Sequence, residues 1–325
     1  MAAGVGRRRN IAWRRDDDKM FSMSGRARRE SVTTEAAAPP AGTSLPWSAL
    51  VWFAALLAAL YAPVLGRMIY EWATVEEMGH GFFVFPLAGY LAWQRRAELR
   101  AVARPDFRGL ALVLWGFIQL ILGTAGADFF VVRTAFLISL VGAVWTLAGP
   151  AVLRRLAFPL FLLLFSVRIP LFIYSQITLP LQLLASRIAE VVLTLLGVPV
   201  LREGNILELA SQRLSVVEAC SGIRSLLSLT FLALVYGHFF ERRLWMRAVL
   251  TLLAAPIAIL TNAGRVTLTG VLSEYRPELT RGWFHEIEGW LVFLAALACL
   301  LASHRMLVAA GRWTARRRED ARLSA

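Results

Sequence analysis

Three residues far apart in the chain have the side chains that acyl transfer needs. Cys220 lies in VVEACSGIR, Val216–Arg224, and is one of two cysteines in 325 residues. A polar run from Arg202 to Ser215 precedes it and an apolar run from Ile223 to Phe240 follows. The thiol is therefore expected at the water-facing mouth of a membrane helix, where the N–H groups of a helix start favour the thiolate. Arg265, in Asn262-Ala-Gly-Arg265, stands near the end of a later apolar run, and His285, in WFHEIEG, stands just before the last one. A thiolate that attacks a carbonyl, an imidazole that moves the proton and a fixed cation that stabilises the oxyanion make a complete set.

Secondary candidates surround these three. Arg224 follows Cys220 by four residues and shares its helical face, so it is open either as the oxyanion cation or as the partner of Glu218. Asn262 lies three residues before Arg265 and gives that face polar character. His80, in Gly79-His80-Gly81, is the reserve for the base. Each main residue also has a bland reading. A lone cysteine is often a small buried side chain, an arginine near a span end snorkels to headgroups, and an interfacial histidine is often simply satisfied. Placement on one side of a membrane, argued from charge alone, is what favours chemistry.

The chain is 58% hydrophobic and only 18% charged, with a mean hydropathy of +0.58. Soluble domains average about 25% charged residues. Several runs approach the ~20 apolar residues that a spanning helix needs, and no alternating strand pattern of a membrane barrel occurs. The chain reads as an all-α polytopic membrane protein. Its net charge of +13 follows from arginine-rich short loops, as the positive-inside rule expects, and does not point to nucleic acid. Cys299, about ten residues into the last apolar run, would be ~15 Å deep and is expected as a small core residue, out of reach of Cys220.

The apolar runs are Trp47–Gly66, Gly81–Trp93, Gly109–Ala127, Phe129–Gly149, Leu156–Tyr174, Gly222–Phe240, Met246–Leu272 and Gly289–Ala309. Ile177–Val198 is a ninth candidate, but Gln182, Ser186, Arg187 and Glu190 recur along it at helical spacing, which predicts an amphipathic or re-entrant helix. Basic clusters at the N-terminal tail, Arg95–Arg108, Arg154–Arg155, Arg242–Arg247 and Arg312–Arg318 decide between eight and nine. With all of them cytoplasmic, consecutive clusters must be separated by an even number of crossings, and eight spans satisfy this while nine do not. Both termini are then cytoplasmic. Cys220, Arg265, His285 and His80 all fall on the outer side, whereas His238 and His304 fall at cytoplasmic ends. Val198–Leu201, Ile206–Leu209 and Leu214–Val217, separated by Gly204-Asn205 and Ser211-Gln212, predict a small extracytoplasmic hairpin leading to Cys220. Residues 1–46 read as a disordered basic cytoplasmic tail, 47–311 as the membrane domain and 312–325 as a basic cytoplasmic C-terminal tail.

Other membrane chemistries fit less well. His285-Glu286 is not followed by a second histidine at zincin spacing, and no metal or other cofactor is expected. Asp128 is the only aspartate between residues 107 and 319, which argues against an aspartyl membrane protease. There is no Walker A motif, and no repeat of the kind that marks secondary transporters.

The stretch LPLQLLASRIAEVVLTLLGVPVLREGNILELASQRLSVVEACSGIRSLLSL, with the ACSGIR and NAGR elements, the histidine of WFHEIEG and HGFFVFPLAGYLAW at 80–93, resembles the exosortase/archaeosortase family. The resemblance extends over roughly residues 47–309; the basic N-terminal tail is not part of the family pattern. It implies an eight-helix cysteine transpeptidase of the bacterial inner membrane. Its substrates would be membrane-anchored proteins with a C-terminal sorting signal made of a Pro-Glu-Pro (PEP-CTERM-type) motif, a transmembrane helix and a basic tail. The family is associated with exopolysaccharide production, so export machinery is a further implied partner. Carried over by motif, Cys220 would be the nucleophile, Arg265 the oxyanion stabiliser and His285 the proton shuttle, the histidine marking the bacterial branch. The competing expectation is a non-catalytic membrane subunit of a polysaccharide assembly system, in which Cys220→Ser would be nearly silent.

Overall fold

A computed structural model describes residues 47–216, 223–276 and 283–323. The described chain is helical apart from one small sheet. Helices α1 (Trp47–Leu60) and α2 (Ala62–Thr74) meet at a 72° bend. Pro63, in the first turn of α2, cannot continue α1 because it lacks the N–H and clashes with the preceding turn. A turn at Glu76–Met78 leads to α3 (Gly81–Gln94), and a short α4 (Arg96–Val102) leads to the hairpin of α5 (Leu110–Ala125) and α6 (Phe129–Ala148). Asp128 caps α6, its Oδ1 accepting from the N–H groups of Phe130 and Val131 at 2.9 and 3.2 Å.

The α5–α6 pair closes on small residues, as helices do in lipid, where close backbone approach replaces the hydrophobic effect. Gly116 leaves no room for a side chain against Ser139 and the Ala135 carbonyl, and Gly142 leaves none against Val113. Buried Tyr61, at the α1–α2 bend, fastens itself to this hairpin, with its hydroxyl 2.8 Å from Ser139 Oγ and 3.2 Å from the Gly116 carbonyl.

The expected span Leu156–Tyr174 is not one helix. Short helices α7 (Pro150–Arg155) and α8 (Ala157–Leu162) and a turn at Leu163–Ser166 are followed by extended chain. Pro170 forbids helical backbone at the residue before it and opens α9 (Leu171–Leu195). The ninth candidate therefore belongs to a continuous 25-residue helix that starts earlier than expected and is long and apolar enough to cross a membrane. Tyr174 donates to Glu77 at 3.2 Å, and Leu193 packs against Gly270.

After α9 the expected hairpin appears as a three-stranded antiparallel sheet, β1 (Val200–Glu203), β2 (Ile206–Leu209) and β3 (Arg213–Ser215), in the order β1-β2-β3. Gly204, at φ +66, makes the tight turn that a side chain would strain. Leu207, Leu209 and Leu214 pack with Ala189 and Leu193 of α9 and with Val266. The last three helices are α10 (Ile223–Phe240), α11 (Leu244–Tyr275) and α12 (Trp283–Leu323).

Among the described residues five helices have the length and apolarity to cross a membrane, six if the bent α1–α2 pair counts as one span. Of the eight expected crossings, α5, α6, α11 and α12 qualify, and the bent pair makes a fifth; the remaining qualifying helix is α9, which was not expected to cross, and α3, α8 and α10 are too short to qualify. Large apolar side chains face outward along these helices, Trp52 at 70%, Phe83 at 69% and Leu252 at 73% exposed. Cys299 is also exposed on α12, which corrects its expected core position. In a lipid-facing helix an apolar environment does not require burial inside the protein.

A buried charge cluster interrupts this apolar pattern: Glu71 of α2 is bonded to Arg133 of α6 with Arg67 Nε at 3.8 Å, and the Glu71 and Arg133 side chains are 11% and 7% exposed. Removing one member leaves a buried charge without its partner, at a cost of about 3–5 kcal/mol. Arg133→Met is expected to lower the unfolding temperature in detergent markedly. The double variant Glu71→Leu/Arg133→Met is expected to recover most of that loss, as measured by tryptophan fluorescence on heating.

Candidate active site

The α10–α11 hairpin fixes the height of Arg265. Near its closed end Gly237 lies against Arg247, a Cβ on the glycine falling 3.6 Å from the arginine Cα. The pair packs on small and branched residues, Leu229 and Ala233 against Met246, Leu250, Ala254 and Ala258. Equal steps along both helices from Gly237 and Arg247 set Ile223, the first described residue of α10, level with Thr261. Arg265 is one turn beyond, about 6 Å further along α11. Cys220 and Glu218 lie outside the described residues. Covalent geometry alone keeps the Cα of Cys220 within about 11 Å of that of Ile223, three residues on, and within about 14 Å of that of Val216, four residues back.

Arg265 faces α12. A Cβ built on Gly289 would stand 3.4 Å from its Nη2 and 3.6 Å from Cζ, so the guanidinium lies against bare glycine backbone. One turn further along α11, Thr269 Oγ1 is 2.8 Å from Oε1 of buried Glu288. Asn262, also buried, is three residues before Arg265 and on the same face. These residues form a polar seam between α11 and α12. His285 belongs to the first turns of α12, and its position in the helix is one turn before Gly289, hence on the stripe that meets Arg265. Glu288, Thr269 and Gly289 were not singled out from the sequence. The available signal was a second acid in WFHEIEG and a threonine four residues after Arg265.

The other candidates have defined partners at the same end of the bundle. Arg224 does not stand open. Its Nη1 is 2.8 Å from Oε2 of Glu76, in the turn that follows α2. The pair is largely exposed and contributes at most about 1 kcal/mol, but it directs the guanidinium at the start of α10 toward that turn. His80 stands at the residue before α3, with its ring 5.8 Å from that of Phe231 in α10. Its Nε2 is 2.9 Å from the Phe165 carbonyl. A carbonyl can only accept, so Nε2 carries the proton and Nδ1 holds the lone pair. Burial pushes this ring below the usual histidine range and keeps it neutral. Trp72 fastens the same region, Nε1 donating to the Ser166 carbonyl at 3.0 Å.

The sheet sits beside the seam on polar fastenings. Gln212 Nε2 is 2.6 Å from Ser273 Oγ of α11, Asn205 Nδ2 is 3.1 Å from Gln182 Oε1, and Arg202 Nε is 2.7 Å from Glu190 Oε2. The polar stripe expected on α9 thus receives the sheet. At the opposite end of the bundle, His304 lies between Tyr236, at 2.9 Å from its hydroxyl, and Glu241, while the His238 ring stacks 4.0 Å from that of Phe158. Those two histidines tie helices together away from the seam.

No curated protein and no solved structure matches the chain. The family model described as transmembrane exosortase matches residues 72–302, from the end of α2 to the middle of α12 and across Cys220, Arg265 and His285. With most of its length matched and several helices able to span a bilayer, this multi-pass membrane protein belongs to the transmembrane exosortase family.

Proposed function

We propose that the chain is a cysteine peptidase and transpeptidase acting on membrane-anchored proteins that carry a C-terminal sorting signal. In this reading the signal is of the Pro-Glu-Pro type followed by a transmembrane helix and a basic tail, and the site faces the outside of the bacterial inner membrane. The observation that supports the reading most is the meeting of Arg265 with Gly289. It unites the NAGR segment of α11 with the helix stripe of His285, at the level where α10 begins and Cys220 is tethered nearby.

The chemistry runs as follows. His285 accepts the proton of the Cys220 thiol, and the thiolate adds to the scissile carbonyl carbon. The oxyanion that forms is held by Arg265, whose planar fork offers several N–H donors. The C–N bond breaks, the proton passes from His285 to the departing amine, and a thioester remains on Cys220. An amine, a hydroxyl or water then adds to the thioester, gives its proton to His285 and expels the thiolate. In this reading Arg224, paired with Glu76, orients the start of α10, and Arg265, on the NAGR segment beside the stripe of His285, is the oxyanion cation. His80 is a positioning residue that fastens α3 to the turn at Leu163–Ser166.

Eight crossings remain part of the proposal. The contacts at both ends of α9 favour its lying along one face of the membrane. The even number of crossings between basic clusters is then kept when α3, α10 and the broken segment from α7 to Pro170 each cross once, where the bilayer is thinned. A link to exopolysaccharide export belongs to the same reading and rests on the family alone.

The test is co-expression with a membrane protein bearing the tripartite tail, followed by the mass of its new C-terminus. Wild type is expected to shorten the substrate, and the mass distinguishes hydrolysis from transfer. Cys220→Ala and Cys220→Ser are expected to accumulate as folded protein and leave the substrate intact. Equal shortening by Cys220→Ala would overturn the reading in favour of a non-catalytic subunit. Arg265→Lys is expected to lower kcat by about 10²-fold, the usual effect of losing one oxyanion donor. Gly289→Leu, which displaces the guanidinium without touching the thiol, is expected to act on kcat in the same direction, since a misplacement of ~1 Å can reach 10²-fold. Single-turnover rates with unchanged thermal stability would check both.

A further inference from the structure

The small sheet ends in an edge, β3, whose outer side no described residue pairs, and the chain runs on from it to the candidate nucleophile. Its hydrogen bonding is fixed by two observed contacts, Val216 N–H to the Asn205 carbonyl and Leu209 N–H to the Gln212 carbonyl, both 3.0 Å. Bonded pairs in an antiparallel ladder recur every second residue. With Leu207 opposite Leu214, the N–H and C=O of Leu214 point into the sheet. Those of Arg213 and Ser215 point away from β2. No described residue bonds to these four outward groups. The underside is immobilised, since Leu214 is buried with Leu207 and Leu209 on α9 and α11.

The side chain that could cover this edge is drawn away from it. Arg213 reaches back across the sheet to Glu208 on β2, with Glu203 of β1 at 4.0 Å. Soluble proteins blunt such edges with prolines or outward charges; β3 carries no proline, and its one charge, Arg213, is paired across the sheet. The opposite margin differs, because β1 is engaged by α9 through Arg202–Glu190 and through Ser186 Oγ on the Gly204 carbonyl at 3.0 Å.

We infer that β3 binds the extended segment of the protein substrate by strand addition and delivers it to Cys220. The inference rests on the peptidase reading and deepens it. An open strand edge is complementary to one kind of partner, another extended backbone. Main-chain hydrogen bonds supply the affinity in such docking, while side-chain preferences are left to nearby pockets. Cys220 follows Ser215 by five residues, so its Cα lies within about 17 Å of that of Ser215. A paired strand advances ~3.3 Å per residue, so a bond a few residues beyond the paired portion comes within reach of the thiol. The short strand limits pairing to about two substrate residues, which gives positional register without demanding a long sequence motif.

The experiment uses the full chain with Cys220→Ala in lipid nanodiscs, so that binding is read without turnover. The probe is a fluorescent synthetic peptide with an extended segment, an apolar helix and a basic tail, N-methylated at one backbone nitrogen at a time along the extended segment. The expected result is a Kd weakened about tenfold at alternate positions and little changed between them. Ser215→Pro and Arg213→Pro each remove one outward donor and leave the Leu214 ladder intact, as edge prolines do. Each is expected to weaken binding of the unmethylated peptide by about tenfold. A flat N-methyl profile, or no binding at all, overturns strand addition even if a proline variant fails to fold. Cleavage of the same peptides by wild type is measured in parallel. Cleavage with a flat binding profile overturns the edge and keeps the peptidase, whereas alternating binding without cleavage does the reverse.

Discussion

The contacts that α11 makes with three neighbours at one end of the bundle set the geometry of the whole site. Helices α10 and α11 share a closed turn at the other end. Past the level of Ile223, the first described residue of α10, α11 continues from about Thr261 to Tyr275, an overhang of about 20 Å at ~1.5 Å per residue. Among the described residues, the surface of this segment is taken by α12, α9 and the sheet. Arg265, Thr269, Gly270 and Ser273 all lie on the overhang, and each of them meets one of those three elements. A shorter α11 would remove the surface on which the sheet is fastened and the seam in which the guanidinium lies.

Polar groups in this chain are concentrated where they hold such surfaces in place. In lipid, an unsatisfied polar group is expensive, and a satisfied one fixes the arrangement of the helices that share it. Glu71 and Arg133 set α2 against α6. Gln212 and Ser273 set the sheet against α11, and Thr269 and Glu288 set α11 against α12. The exposed aliphatic and aromatic side chains elsewhere are not a defect of packing, because their solvent is hydrocarbon. Small residues then determine how closely the helices approach, as Gly116 and Gly142 do between α5 and α6.

What the sequence showed follows the range of the forces involved. Gly204-Asn205 between apolar runs identified the β1–β2 turn, because turn conformation is decided by the residues in it. The apolar runs marked most helices, since hydropathy is summed locally. The run Leu156–Tyr174 misled, because composition alone does not register that Pro170 interrupts it. The run Trp47–Gly66 likewise hid the bend at Tyr61. Cys299 was misjudged by applying the rule for water-soluble cores to a helix that faces lipid. Glu76 as the partner of Arg224, and Glu288 with Thr269, were not legible. They depend on helix register across 148 and 19 residues of chain, and sequence spacing is silent about contacts between elements.

The position of Arg265 also bears on how a charge can be useful at a membrane boundary. In water, a cation 4 Å from an oxyanion contributes only about 1 kcal/mol, and several-fold more where protein and lipid lower the dielectric. A guanidinium spreads its charge over a planar fork of N–H donors and is less strongly hydrated than an ammonium. The same surroundings penalise any cation that is taken out of water. The seam limits that penalty by keeping the guanidinium against glycine backbone at the end of the bundle where the polar sheet, Asn262 and the turn of Glu76 also gather. The site is thus polar enough to retain an arginine and has too little polar surface to screen it as water would. An electrostatic contribution to acyl transfer requires this intermediate condition, and the overhang of α11 holds Arg265 within it.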